Sequence, residues 1–427
     1  MTILVLFGTL FTLLAMGTPV GFAMGLAGVV GLLFSGGPDL VMGVLSTAPF
    51  SAVSSFELLT IPMFILMAEM VILSEVADDL FRASAAWVGR LRGGLGMATA
   101  LAGAGFGAIC GTSTASAATL ASTSLPSMMK HGYEPRMASG VVAVSGTLAI
   151  LLPTSLGLII YGILAQVSIR SMLMAGIIPA MVVTLTIMAT IWLLVRLDPS
   201  RAPMVAAVPW PERFRLLWKV SPVVTLFAMV TGAIYTGFAT PIEASSIGAF
   251  GAFVLAMLRA RPGPAQLLRA LQKVATASCM ILMIIMGAML FGYAFILTQF
   301  AQDLVAFVGA LPVNRWAIMA ILLSGYIVLG AFMDQLAILV LTVPIVLPLI
   351  KSLGFDPIWF GIIKTVTAEV GLITPPIGLN CYVVARYARQ PVTDVFQGIV
   401  PHFLAHLIAI AILTAFPILA LWLPNHM

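Results

Sequence analysis

The strongest constraint on this chain's fold is that the sequence contains itself twice. The stretch "MGTPVGFAMG" around Thr18 and Pro19 returns as "FATPIEASSIG" around Thr240 and Pro241, 222 residues further on. The same offset carries "LPSMMKHGYEP" at 125–135 onto "LPLIKSLGFDP" at 347–357, Pro153 onto Pro375, and the Gly176–Pro179 stretch onto Gly398–Pro401. A single short match means little in a Leu-Ala-Gly-rich chain. A constant register over most of each half means a duplicated unit. The expected organisation is a first copy at 1–196, a basic linker with an amphipathic segment at 197–219, and a second copy at 220–427.

Each copy has to live in a membrane. Of the 427 residues, 61% are hydrophobic and only 8% charged, and the mean hydropathy is +1.14, well outside the range of soluble domains. Apolar runs of spanning length recur along the whole chain. The first of them, "MTILVLFGTLFTLLAM", has no basic segment before it and reads as a retained span rather than a signal peptide. The net charge of +5 lies in connecting loops, where it reports topology and lipid headgroups rather than nucleic acid. Cys110, Cys279 and Cys381 are far apart in apolar surroundings and form neither a disulfide framework nor a metal knuckle.

The first copy reads as spans near 1–16, 19–36, 56–74, 135–167 and 171–196, and the second as spans near 220–238, 242–259, 275–300, 357–386 and 395–424. Five crossings are an odd number, so the second copy enters the bilayer from the opposite side. Basic residues agree with this inversion. "RASAAWVGRLRGG" holds Arg82, Arg90 and Arg92, whereas its counterpart "AFVGALPVN" is uncharged; the linker holds Arg201, Arg213, Arg215 and Lys219, whereas the chain ends are nearly neutral. The predicted topology puts both termini outside and the linker, Arg259 to Lys273 and Arg386 to Arg389 in the cytoplasm.

Two further elements, 94–130 and 316–350, are too long for one span and broken at their centres. Arg92 and Lys130 flank the first on one side of the membrane, so it should dip in and return as a re-entrant hairpin, with its counterpart entering from the other side. The fold class is therefore an all-α polytopic membrane protein of two inverted repeats, each with about five spans and one hairpin. Irregular backbone at membrane depth is tolerated only inside protein or against a water-filled cavity.

At the first tip, Gly107 and Gly111 let the chain turn, and Thr112, Ser113, Thr114 and Ser116 either cap the new helix or lend oxygens to a small hard cation. At the second tip, Gly330, Asp334 and Gln335 stand at the corresponding place. A carboxylate there costs roughly 2.5–3.5 kcal/mol on insertion scales, which calls for a partner cation or a hydrogen-bonded water. The following spans are interrupted at "SGTLAILLPTSLGLIIYG" and "TAEVGLITPPIGLNCYVV", where Pro153 and the Pro375-Pro376 pair break the hydrogen-bond ladder. Carbonyls around Thr147 to Pro153 and Glu369 to Thr374 are freed to face the tips. Paired broken elements at one depth in both halves are the mark of a coupled transporter's central site.

Other features carry less. Glu57, Glu69, Glu75 and Asp79 lie near span ends and read as interfacial carboxylates. His402 and His406 in "PHFLAH" lack a metalloprotease glutamate and read as headgroup-level histidines. There is no phosphate-cradling Gly-rich loop and no nucleophile constellation, so ATP hydrolysis and enzymatic chemistry are not expected, although an intramembrane enzyme built on Asp334 or Glu369 is a conceivable rival.

In "GAICGTSTASAATLAS", "GYEPRMASG", "YGILAQVSIRSMLMAGIIP", "GAFMDQLAILVLTVPIVLP" and "GLITPPIGLNCYVV" the chain resembles, nearly end to end, the large membrane subunit of tripartite ATP-independent periplasmic (TRAP) transporters of the DctM type. The resemblance implies a sodium-driven importer of organic acids in a bacterial inner membrane, with no cofactor beyond the coupling ions. It also implies a periplasmic binding protein and a small four-helix membrane subunit as partners, and a transport domain that moves like an elevator against a scaffold. On matching positions it places sodium at Gly111, Thr112, Ser113 and Thr114 with Thr147, and at Asp334 with Gly371, Thr374, Pro375 and Gly378; Thr154, Ser155 and Asn380 are the implied solute contacts. Two departures stand out: Thr154 follows Pro153 where a second proline is usual, and Glu369 stands where a neutral side chain is usual. Glu369 would add a proton-sensitive step or an ion pair, for instance with Lys364. The alternative function is an inverted-repeat symporter that takes its solute without a binding protein.

Overall fold

A computed structural model describes every residue except Met1, Ala207 and Leu311. In the first half the helices are α1 (Thr2–Ala15), α2 (Val20–Val53), α3 (Thr60–Leu73), α4 (Val76–Val88), α5 (Gly94–Cys110), α6 (Ser113–Lys130), α7 (Pro135–Gly146), α8 (Leu156–Ala165), α9 (Ile169–Ala175) and α10 (Ile177–Leu197). In the second half they are α11 (Trp210–Thr236), α12 (Pro241–Arg259), α13 (Pro264–Leu297), α14 (Phe300–Ala310), α15 (Arg315–Phe332), α16 (Gln335–Ser352), α17 (Pro357–Leu372), α18 (Leu379–Ala388), α19 (Val392–Ala415) and α20 (Ile418–Leu421). Among the described residues, nine helices are long and apolar enough to cross a membrane.

The duplication is visible in where helices begin. The starts of α6 and α16, at Ser113 and Gln335, and of α7 and α17, at Pro135 and Pro357, keep the 222-residue offset. Packing repeats too: α6 lies on α18 as α16 lies on α8. The copies differ where a break in one is bridged in the other. Helix α2 runs on through a kink at Gly37, which is held at φ 76, while its counterpart stops at Arg259 and restarts as α13. Conversely, α13 is continuous where the first copy is interrupted between Val53 and Thr60.

Two regions follow from this packing. In one, α2 and α13 cross at main-chain contact. A Cβ on Gly28 would overlap the Leu290 backbone, and one on Gly21 the Met283 carbonyl. Around this crossing α1, α3, α11 and α12 assemble. Ion pairs tie the copies together at its edge: Lys273 Nζ lies 3.3 Å from Glu69 Oε2, and Arg259 pairs with Asp79. Glu69 and Asp79 are thus structural partners, and Glu57 and Glu75 are exposed. The other region contains α5–α8 and α15–α19.

The two long elements do turn back on themselves. At the mouth of the first, the Tyr133 hydroxyl accepts from Leu95 N at 3.0 Å, joining the residue after the hairpin to its first turn. At the mouth of the second, the counterpart Phe355 packs edge-on against Trp316 at 5.0 Å. The histidine expectation is corrected in one respect: His402 and His406 are fully buried in α19 and face protein rather than headgroups or water. Their helix packs its Gly398 against Gly140 of α7, which turns that face inward.

Candidate functional site

Each hairpin tip meets a broken helix through glycine. Gly111 sits at φ 67, a left-handed conformation that favours glycine, and a Cβ on it would overlap the Thr154 carbonyl. Gly107 likewise abuts the Ala149 backbone. In the second copy, Gly330 abuts Ala368 and Gly371, and Ile377 N donates to Ala331 O at 3.3 Å. Ala149 and Gly371 are equivalent positions, so the same close approach of two main chains is built twice.

The breaks are real interruptions. After α7 the chain passes through a 3-10 turn at Thr147–Ile150 and restarts at Leu156, where Ser155 caps α8 by accepting from Leu158 N at 3.3 Å. After α17 it passes the cis Pro375–Pro376 bond and restarts beyond Gly378, itself at φ 54. Backbone groups near helix termini lack intrahelical partners; the first break is buried throughout, whereas Pro375, Pro376 and Ile377 of the second are exposed.

The side chains divide into two groups. Thr147 Oγ1 donates back to Val144 O at 2.7 Å and Thr374 Oγ1 to Val370 O at 2.5 Å, so these hydroxyls serve their own helices. The first tip is different. Thr112 occupies the cap position of α6 with no side-chain capping bond, and its hydroxyl faces Cys110 Sγ at 3.7 Å. Ser116 Oγ is buried without a partner, and Ser113 Oγ accepts from Asn380 Nδ2 at 2.6 Å, joining the first tip to the second broken helix.

At the second tip Asp334 is exposed. It caps α16, accepting from Leu336 N at 3.0 Å through Oδ2. Its neighbour Gln335 is buried with Nε2 unpartnered, lodged against Gly157 of the first broken helix. Thr154, Ser155 and Asn380 are fully buried, so no open chamber reaches the three implied solute contacts in this conformation. Sequence reasoning had not singled out Lys364 for its own chemistry: it is 0% exposed, its ammonium has no hydrogen-bond partner, and it lies 5.7 Å from the Tyr326 ring centroid. A lysine inside "GIIKTVTAEVGL" was the available signal.

Two hairpins, each clasped to an interrupted helix inside a polytopic helical bundle, define a membrane transport protein. The comparisons carry this further. Residues 7–419 match the family model of the tripartite ATP-independent periplasmic transporter, DctM component, and the chain belongs to that family. It is 33% identical to the C4-dicarboxylate TRAP transporter large permease protein DctM of Pseudomonas aeruginosa, over 94% of each chain. It is 27% identical to the isethionate TRAP transporter permease protein DctMQ of Oleidesulfovibrio alaskensis, covering 96% of this chain and 64% of that one. Among solved structures, the Alcanivorax borkumensis YdaH transporter shares the fold, with a TM-score of 0.62 over 88% of this chain and 89% of that one at 18% identity. The chain is thus a TRAP transporter large permease, a transport component and not an enzyme.

Proposed function

We propose that this permease drives uptake of organic acids, C4-dicarboxylates or sugar acids among them, with a sodium gradient. The carrying observation is the duplicated clasp, Gly111 against Thr154 and Gly330 against Gly371. It sets two pairs of interrupted main chains against each other within the assembly, where their oxygens can replace a cation's water. One cation site comprises Gly111, Thr112, Ser113 and Thr114 with Thr147; the other comprises Asp334 with Gly371, Thr374, Pro375 and Gly378. Thr154, Ser155 and Asn380 take the solute carboxylate once the site opens. An acid is also what the names of the C4-dicarboxylate and isethionate relatives suggest.

In this reading 1–196 and 220–427 are inverted copies joined by a cytoplasmic linker, both termini are periplasmic, and the membrane is a bacterial inner one. The α2–α13 crossing belongs to a fixed scaffold, and the hairpins with their broken helices move past it as an elevator. A polar cavity of about 540 Å³ between α6 and the α4–α12 ion pair, lined by Thr119, Thr123, Asp79 and Arg259 among others, offers water a path along the moving face. A periplasmic binding protein delivers the solute, and a small four-helix subunit completes the membrane part; the longer DctMQ relative, of which this chain spans about two thirds, supports that partner.

The test is uptake into proteoliposomes holding the permease, small subunit and binding protein. Accumulation should require an inward sodium gradient. Unchanged uptake in choline would overturn sodium coupling, and full uptake without the binding protein would favour a stand-alone symporter.

A further inference from the structure

Among the polar groups buried around the clasps, one cluster is left unsatisfied by everything above. Glu369 is 2% exposed, and neither carboxylate oxygen has a hydrogen-bond partner. Asn380 is 0% exposed with Oδ1 equally unpartnered. Both converge on Ser113: Asn380 Nδ2 bonds its hydroxyl at 2.6 Å, and the Glu369 carboxylate lies beside it. Three elements from both copies, α6, α17 and α18, thus bring polar side chains together at Ser113.

Lys364 does not account for the carboxylate. Five residues apart on one helix, Lys364 and Glu369 point about 140° away from each other. Lys364 turns to Tyr326 on α15, and among the described residues no ion pair joins it to either Glu369 or Asp334. Helix ends do not neutralise Glu369 either. The N-termini of α6 and α18 bring roughly half a positive charge each and the carbonyl end of α17 roughly half a negative one, so the full charge of the carboxylate outweighs what the three ends supply together. The duplication shows that the arrangement is particular to one side: the residues equivalent to Glu369, Asn380 and Ser113 are Thr147, Leu158 and Gln335, with no carboxylate among them.

We infer that Glu369, Asn380 Oδ1 and Ser113 Oγ form a further binding site for a small monovalent cation, which shares Ser113 with the first clasp site and joins the first hairpin to the second broken helix. A buried carboxylate that stays charged needs a paired positive charge, and one monovalent cation supplies it. The neutral oxygens supply the remaining coordination. The inference rests on the sodium-coupled reading, and it adds an ion to it.

The experiment counts bound sodium. The full chain in lipid nanodiscs is titrated with radioactive sodium in a scintillation proximity assay, with melting temperature in choline buffer as the folding control. Glu369→Gln should bind one fewer sodium per chain than wild type while melting within a few degrees of it, and Asp334→Asn/Glu369→Gln should in addition bind sodium at the second clasp about tenfold more weakly. Equal stoichiometry and affinity in wild type and Glu369→Gln would overturn the site alone; no sodium bound by wild type would overturn sodium coupling with it. Should Glu369→Gln not fold, carbodiimide modification of wild-type Glu369, mapped by mass spectrometry, should be blocked by sodium and not by choline. Equal modification in both salts would overturn the site.

Discussion

At the scale of single residues, the two tips use different chemistry for the same position. Thr112 and Asp334 are equivalent cap residues, yet only Asp334 closes a capping bond. Asparagine caps about as well as aspartate, so Asp334→Asn removes the charge and keeps the helix start. Its apparent sodium affinity should fall about tenfold, the equivalent of roughly 1.4 kcal/mol, with little change in melting temperature; sodium-dependent uptake measures it. Glu57→Gln, on an exposed carboxylate, should leave both quantities at wild-type values. Gly111→Ala should do the opposite. A left-handed alanine costs about 1–2 kcal/mol, and its methyl meets the Thr154 carbonyl, so the melting temperature should drop and uptake should be lost together.

Among elements, the hairpins are closed at their mouths by unlike means, a hydroxyl at Tyr133 and aromatic packing at Phe355. Tyr133→Phe should cost about 1 kcal/mol, the net worth of one hydrogen bond, and speed hydrogen exchange at Leu95 without touching the second hairpin. The hairpins were also the most legible part of the sequence. Ranges of 94–130 and 316–350 anticipated α5–α6 and α15–α16 within two residues at either end, because a polar, glycine-bearing centre between apolar stretches is hard to place at membrane depth except as a turn. Less legible were α4, whose Asp78, Asp79 and Arg82 mask its apolar face, and the far half of α2. There "SGGPDL" reads as a terminator, but the helix bends at Gly37 and continues. At the site, residue types drew attention to both tips and both breaks, but local pattern could not tell which hydroxyls serve their own helix, as Thr147 does, from those left free, as Ser116 is. Nor could it show that His402 and His406 face protein, since that depends on the Gly140–Gly398 contact between distant segments.

For the molecule as a whole, inversion is a statement about sides and can be tested as one. With exposed Cys279 replaced by serine, Ser200→Cys in the linker should react with a membrane-impermeant maleimide only after the cells are opened. Val313→Cys, before the second hairpin, should react in intact cells. Labelling of both from the same side would overturn the inverted arrangement. The crossing of α2 and α13 has a separate consequence. Because glycines there bring two 34-residue helices into main-chain contact, the halves grip each other through their backbones, and the peptide joining them is a tether of convenience. A gene cut within that tether should yield two polypeptides that find each other in the bilayer and copurify through an affinity tag on either one.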